Sequence, residues 1–504
     1  MELKGKKITV VGLARSGVGA ANLLSEMGAE VTVTDRKSND ELAGSIKRLA
    51  PSVRLALGGH PDNIFMSADM VVVSPGVPLE INPIASAKAN GISVIGELEL
   101  AYQIIQGLGV RGQGLAKETT PIPNPQSPIP FLAVTGSNGK STTTTLLDHM
   151  LRKGGFKTLI GGNIGNALTE EIHKHVSSQK SKVKSKAKNF KLRARNSEVD
   201  YVVVEVSSFQ LEAIDRFRPH IASILNITPD HLDRYHSMSE YSHAKAQIFL
   251  NQQGTDFLVL NADDPETIKV KSEKLKVKSE KPKILYFSRK MKVEGVYFKD
   301  GSIYSNFSNS GLHAPDSELI KADEVKIKGV HNLENAMAAS AMALLANCPL
   351  EAVIESLREF EGLEHRLELV GEVNGVKYIN DSKGTNVGAV VKSLESFNEP
   401  LILIAGGRDK AGDFSVLRNP VAGRVKAVVL IGEAAGKIQD ALRDVTETVM
   451  ARDLKEAVTL SGKIAKKGDV VLLSPACASF DMFQDFEDRG RQFKKIVREL
   501  KIDE

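Results

Sequence analysis

The run Gly136-Ser137-Asn138-Gly139-Lys140-Ser141-Thr142 stands between the apolar stretch Phe131 to Val134 and a helical pattern over Thr143 to Lys153. Glycines let backbone amides turn toward an anion, a helix start offers N–H groups with no intrahelical partner, and Lys140 adds a point charge. These seven residues therefore form a candidate cradle for a nucleoside triphosphate such as ATP. The spacing departs from G-x-x-x-x-G-K-S/T by one position, because Val134 stands where the first glycine would be. A turn with no ligand would need the glycines but would have no use for Lys-Ser-Thr beside them.

A triphosphate brings Mg2+, a hard cation that takes oxygen ligands. Ser141 is placed to give one oxygen. Glu205, closing the apolar run Tyr201 to Val204, is a candidate for another, with the polar cluster Ser207-Ser208-Phe209-Gln210 next to it. Asn226-Ile227-Thr228-Pro229-Asp230-His231-Leu232-Asp233-Arg234 places His, Asp and Arg at a further strand end, on the expected rim of the same site.

Short β-branched runs alternate with helical patterns along the whole chain, which argues for an α/β protein with parallel sheets. The expected strands are Ile8 to Val11, Met70 to Val73, Phe131 to Val134, Tyr201 to Val204, Ile221 to Ile227, Leu401 to Ala405, Val428 to Ile431 and Val470 to Leu473. In such sheets ligands collect beyond the carboxyl ends of the strands, where the polar clusters lie. At 504 residues the chain is long enough for about three domains. Leu108 to Pro130 holds five prolines and three glycines and is the expected first linker. A second break is expected at Glu361 to Arg366. The reading is thus a domain over 1–107, a linker over 108–130, a central domain over 131–362 and a third over 363–504.

The formal charge of +4, from 66 Lys+Arg against 62 Asp+Glu, gives no reason to expect a nucleic-acid partner. No apolar run is long enough to span a membrane, and the strand-like Ile8-Thr9-Val10-Val11 leaves no room for a signal peptide, so a cytoplasmic protein is expected; a monomer is the expected state, though no residue pattern fixes it. Cys348 and Cys477 have no metal-ligand spacing and are expected to be buried small side chains. Lys174 to Arg195, with nine Lys/Arg and no acid, and Lys269 to Pro282, with a tandem Lys-Val-Lys-Ser-Glu-Lys, are expected to be solvated surface loops.

Taken jointly, Thr135 to Thr142, Gly161-Gly162-Asn163-Ile164-Gly165, Glu205 to Glu212, Asn226 to Asp233, His331-Asn332-Leu333-Glu334-Asn335 and His365-Arg366 resemble, in order, the motifs of the Mur ligase family. These are ATP-dependent amide-forming enzymes of peptidoglycan precursor synthesis. The resemblance implies three domains: a Rossmann-like N-terminal one, a central P-loop ATPase-like parallel sheet and a Rossmann-like C-terminal one. Asn380 to Asn386, Ala405 to Lys410 and Ser474 to Asp481 further resemble the branch that joins D-glutamate to UDP-N-acetylmuramoyl-L-alanine. Gly384 departs from that pattern, standing where alanine is usual.

What the resemblance implies residue by residue is as follows. The UDP part of the substrate lies at Gly12, Leu13, Ala14, Arg15, Ser16 and Gly17, with Asp35 and Arg36 at the next strand end and Ser74, Pro75 and Gly76 beyond. On the residues alone this region suggests a dinucleotide fold whose glycines do not fit G-x-G-x-x-G, and a purely structural turn stays an alternative. Adenine and ribose lie near Asn332, Asn335, Arg366 and Asp381. D-glutamate lies among Lys383, Thr385, Lys410, Ser479, Phe480 and Phe486. Asn163 contacts the reacting group, with Lys140, His231 and Lys245 as the other catalytic residues. Two Mg2+ ions are implied, on Ser141, Glu205, His231 and Lys245. A lysine ammonium cannot ligate a cation, so the resemblance implies a Lys245 carbamylated by CO2. Without it, Lys245 reads as an ordinary helix-surface lysine. The competing readings are a family member using another amino acid and a non-catalytic P-loop regulator.

Overall fold

The computed structural model describes residues 3–109, 128–182, 199–231, 234–275, 280–307, 316–410 and 412–500. Most of the expected Pro-rich linker, over 110–127, and Leu232 and Asp233 of the strand-end motif lie outside them.

Three sheets form in chain order. The first holds β1 (Lys7–Val11), β2 (Glu30–Asp35), β3 (Arg54–Leu57), β4 (Met70–Val73) and β5 (Ser93–Gly96), ordered β3-β2-β1-β4-β5 and parallel throughout. The second runs from β6 (Phe131–Thr135), β7 (Thr158–Gly162), β8 (Tyr201–Glu205) and β9 (Ile221–Ile224) to β10 (Phe257–Asn261) and β11 (Lys283–Ser288). It continues through β12 (Gly295–Lys299), β13 (Ser302–Asn306) and β14 (Ser317–Lys321), giving nine strands ordered β14-β13-β12-β11-β10-β9-β6-β8-β7. The third comprises β15 (Glu368–Val373), β16 (Val376–Asn380), β17 (Leu401–Gly406), β18 (Val425–Ile431), β19 (Glu447–Met450) and β20 (Val470–Leu473), ordered β15-β16-β20-β17-β18-β19.

The central strands are buried on both faces, which is why they read as continuous apolar runs rather than alternating ones. All five residues of β6, β8 and β10 are buried. Each sheet has a point where strand order reverses, and there the flanking loops splay to leave a crevice. In the first sheet it lies between β1 and β4, in the second around β6 and in the third around β20. The loops after β1 and β4 carry Gly12 and Ser74, that after β6 carries the glycine-rich run, and those after β16 and β20 carry Asp381 and Ser474.

Four expectations are corrected. The strand expected over Ile221 to Ile227 ends at Ile224, because the Asn226 side chain is taken up by the glycine-rich loop. The helix expected from Thr143 begins at Lys140, directly on Gly139. Lys174 to Lys182 are not loop but the last turns of the helix Leu168–Lys182, and Lys269 to Leu275 belong to the helix Pro265–Leu275. Lys and Glu are good helix formers, and Val176 and Val270 supply buried anchors on those helices. The rest of both inserts, over 183–198 and 276–279, lies outside the described residues. The antiparallel extension β12 to β14 was not expected at all.

Candidate functional site

The loop after β6 is shaped by contacts a side chain would block. Gly139 has φ +84°, and a Cβ there would overlap the Oδ1 of Asn335. Asn226 brackets the loop from β9: its Oδ1 accepts from the Asn138 N–H at 2.8 Å and its Nδ2 donates to the Asn138 carbonyl at 3.1 Å. Ser137 Oγ donates to the Thr228 carbonyl at 2.8 Å and lies 3.1 Å from the Tyr241 hydroxyl. The helix Lys140–Lys153 follows without a side-chain cap, so its first N–H groups face the crevice. Asn332 and Asn335 lie one turn apart on the helix Val330–Leu345 and are joined by a 3.2 Å hydrogen bond, as their spacing predicts.

Two lysines share one acceptor inside this loop. Lys140 Nζ donates to the Gly136 carbonyl at 2.8 Å, and Lys245 Nζ donates to the same oxygen at 2.9 Å. Lys245 is only 1% exposed, so its reading as a surface lysine is corrected. Its Nζ sits 4.4 Å from the centre of the Tyr241 ring. Burial and then the charge of Lys140 push its ammonium well below the usual lysine range. Burial also lowers Lys140, against the pull of Glu205 and Asp230.

Glu205 at the end of β8 is buried. Its Oε1 accepts from Asn163 Nδ2 at 2.8 Å, while its Oε2 is buried with no hydrogen-bond partner. A buried carboxylate oxygen left unpaired is costly unless a cation completes it. That orphaned oxygen and the Ser141 hydroxyl are hard donors of the kind Mg2+ takes, so these two residues fit the metal. Among the described residues no three His, Cys, Asp or Glu side chains gather into a metal-binding group. His231 follows β9 with φ 56°, its ring 4.9 Å from that of Phe209. Burial, opposed by Asp230, lowers its pKa.

The third sheet closes over this loop. Lys383, after β16, donates to Ser141 Oγ at 2.7 Å and lies 5.2 Å from the Phe486 ring centre. Burial brings its pKa down to about 8. Lys410, after β17, pairs with Asp230 at 3.1 Å, and against burial this ammonium holds the Asp230 carboxyl below its usual range. Thr385 is half-buried and gives its N–H to the Lys383 carbonyl at 2.9 Å. Ser479 is buried, whereas Phe480 is 65% exposed. Asp381 accepts from Ser393 and Ser474 at 2.7 Å each, and burial raises its pKa. Arg366 is lowered by burial, and its Nε has no hydrogen-bond partner.

Between the second and third sheets lies a cavity of about 240 Å³ lined by Asn138, Gly139, Asn335, Arg366, Asp381 and Lys383. A neighbouring one of about 780 Å³ is lined by Thr142, Asn332 and Arg366. The four residues expected around adenine and ribose are thus divided between two cavities, with Arg366 in both. Asn261, Asp263 and Arg289 also line the first; they belong to no motif legible in the sequence. Asn226 and Asn386 stand in quoted motifs but had no expected role, and Asp230 only a place on the rim, because their contacts join distant strand ends.

In the first sheet, Gly12 has φ +91°, and a Cβ on Gly17 would overlap the Gly12 carbonyl, so strand and helix meet through glycine. Ser74 Oγ donates to the Gly12 carbonyl at 2.9 Å. Asp35 accepts the N–H groups of Leu13 at 2.7 Å and Lys37 at 3.0 Å, which fixes the turn. The helix Arg15–Glu26 opens at Ala14 without a side-chain cap. Ser16 is half-buried, and Ala14, Arg15, Arg36 and Gly76 are exposed beside half-buried Pro75. Arg15 donates to the carbonyl of Gly165, beyond β7, linking this surface to the loop that carries Asn163.

Fold and site define a three-domain protein of the α/β class, with a third domain that brings Arg366, Lys383 and Lys410 against the glycine-rich loop. Family models match in order: Mur ligase MurD-like, N-terminal domain over 6–96, Mur ligase middle domain over 134–343, and Mur ligase, glutamate ligase domain over 365–477. The chain belongs to the Mur ligase family. It is 44% identical over 502 residues to the UDP-N-acetylmuramoylalanine--D-glutamate ligase of Geobacter sp. (strain M21), covering 99% of this chain and 98% of that one. It is 41% identical over 500 residues to the enzyme of the same name from Pelotomaculum thermopropionicum, covering 98% of each. Among solved structures it resembles the MurF ligase of Thermotoga maritima in complex with ADP, with TM-score 0.56, 14% identity and 99% of each chain covered. That likeness speaks for the fold. No helix among the described residues is long and apolar enough to cross a membrane.

Proposed function

We propose that this chain is an ATP-dependent ligase that adds D-glutamate to UDP-N-acetylmuramoyl-L-alanine in peptidoglycan precursor synthesis. The observation that carries the reading is one of charge. Lys140, Arg366, Lys383 and Lys410 gather round the phosphate loop, with Glu205, Asp230 and Asp381 among the carboxylates near them. Desolvated cations gathered in this way suit polyphosphate and a dicarboxylic amino acid.

A carboxylate resists attack by an amine because its charge and resonance oppose it. Transfer of the γ-phosphoryl group of ATP to the L-alanine carboxylate gives an acyl phosphate; the D-glutamate amine attacks it, and inorganic phosphate leaves. Such transfer is largely positioning and charge neutralisation. The uncapped start of the helix Lys140–Lys153 and Lys140 hold the phosphates, and Asn163 orients the acceptor beside Glu205. Lys383 and Lys410 receive the D-glutamate carboxylates, with Thr385, Ser479, Phe480 and Phe486 around them. The turn from Gly12 to Gly17, with Asp35, Arg36 and Ser74 to Gly76, seats the UDP part. Asn332, Asn335, Arg366 and Asp381 hold adenosine. Closure by the third domain keeps water from the acyl phosphate.

Ser141 and Glu205 would hold one Mg2+, and His231 with a carbamylated Lys245 a second; the ions would neutralise the phosphate charge. What supports carbamylation is a buried lysine whose lowered basicity favours the neutral amine, the form that attacks CO2. The reading includes domains at 1–107, 131–362 and 363–504 and a cytoplasmic monomer with no nucleic-acid partner. Phosphate release measured with ATP, the L-alanyl UDP-sugar and a panel of amino acids tests it. Release should depend on D-glutamate; release driven by L-alanine instead, or absent with every amino acid, would overturn it.

A further inference from the structure

Asn386 caps the helix Val387–Leu394, its Oδ1 accepting from the Ala389 N–H at 2.8 Å. The other half of the same amide faces across the domain boundary. Its Nδ2 donates to Asp230 Oδ2 at 3.0 Å and reaches Asn138 Oδ1 at 3.4 Å. Asp230 in turn accepts from Lys410 Nζ and from the His231 N–H through its Oδ1. One amide therefore joins a helix start of the third domain, the phosphate loop and the carboxylate that anchors Lys410. Neither Asp nor Ser can do this: both cap a helix, but only the amide also presents two donors.

We infer that Asn386 is a positioning residue that locks the third domain on the phosphate loop and so sets Lys410 for the incoming amino acid. The assignment of Lys410 to the amino acid rests on the proposed function; the lock itself does not. Closure without Asn386 would leave the Asp230 Oδ2 short of a donor and Lys410 free to swing away with its loop.

The test uses the full chain with Asn386→Ser and Asn386→Asp, each of which retains a capping oxygen, and Asn386→Ala, which does not. The Ser and Asp variants should unfold thermally within about 2 °C of the parent. Their KM for D-glutamate should rise about tenfold or more, the loss of one hydrogen bond to a charged group. The rise should be larger for Asp, which sets a second carboxylate against Asp230. Affinity for a non-hydrolysable ATP analogue should change far less. Small-angle scattering with that analogue and Mg2+ should show compaction of the parent and less of both variants. Ser and Asp variants matching the parent in KM and compaction would overturn the inference. So would a stability loss equal to that of Asn386→Ala with the KM shift following it. Scattering needs no amino acid, so compaction lost in the variants while the parent ignores D-glutamate would sink the functional reading and leave the lock standing.

Discussion

Lys383 Nζ lies 2.7 Å from Ser141 Oγ, joining a strand end of the third sheet to the first turn after the phosphate loop. The two residues are 242 positions apart in the chain. The ammonium is held among Glu205, Arg366, Lys140 and Glu487. Lys383→Met keeps an unbranched side chain of similar length and removes the charge that lies by Phe486. We expect turnover to fall by about 100-fold or more, with the thermal midpoint close to the parent's, because burial and the charges of Arg366 and Lys140 offset the pull of Glu205 and Glu487 on this ammonium. Phosphate release and thermal unfolding measured on one preparation decide this; a turnover within threefold of the parent would count against it.

Gly139→Ala forces a side chain into positive φ and against Asn335. Destabilisation of about 1–3 kcal/mol is expected from the backbone alone. Nucleotide affinity should drop further than stability, since the loop must move off the helix start. Urea denaturation and titration with a fluorescent ATP analogue separate the two effects, and an unchanged affinity would refute the account of the loop.

Glu205→Gln leaves an amide oxygen to accept from Asn163 but removes the anion. The Mg2+ concentration for half-maximal turnover should rise about tenfold or more, the loss of a charged ligand. Stability without metal should fall, because the same carboxylate is the anion that offsets Lys140, Arg366 and Lys383. A Mg2+ dependence identical to the parent's would remove Glu205 from the metal site.

His331 sits between the second and third sheets, 3.3 Å from Ser396 Oγ, with Arg366 and Lys392 near. Burial, helped by those two cations, lowers its pKa from 6.5 to about 3. The unfolded chain thus binds a proton that the folded one refuses, so this contribution to stability is present above pH 6.5 and is lost as pH falls toward 3. Between pH 6.5 and 5, above the range of most carboxylates, the parent's urea midpoint should fall more steeply than that of His331→Gln. Parallel profiles would show that His331 is free to protonate in the folded state.

The parts of the fold legible in the sequence are those buried on both sides. Ile8 to Val11, Phe131 to Val134 and Leu401 to Ala405 read as strands because nothing polar interrupts them. The strands β12 to β14 did not, since Gly295–Lys299, Ser302–Asn306 and Ser317–Lys321 mix polar and apolar residues on a half-covered extension. In the site, glycine and lysine spacing exposes the phosphate loop, which is local. Lys245 is different: the helix Met238–Ala246 shows no clear apolar stripe, so the burial of its lysine follows from what packs on it rather than from its own pattern. The contact of Asn386 with Asp230 spans 156 positions and is visible only once two sheets face each other.

On the proposed course, the terminal phosphoryl group of ATP passes to the substrate carboxylate before the amide forms. The most direct measurement uses UDP-N-acetylmuramoyl-L-alanine labelled with 18O in its carboxylate, with mass analysis of the released phosphate. One labelled oxygen per phosphate is predicted, because the acyl C–O bond breaks when the amine attacks. Unlabelled phosphate released as the amide forms, with the departing heavy oxygen found in water instead, would contradict it.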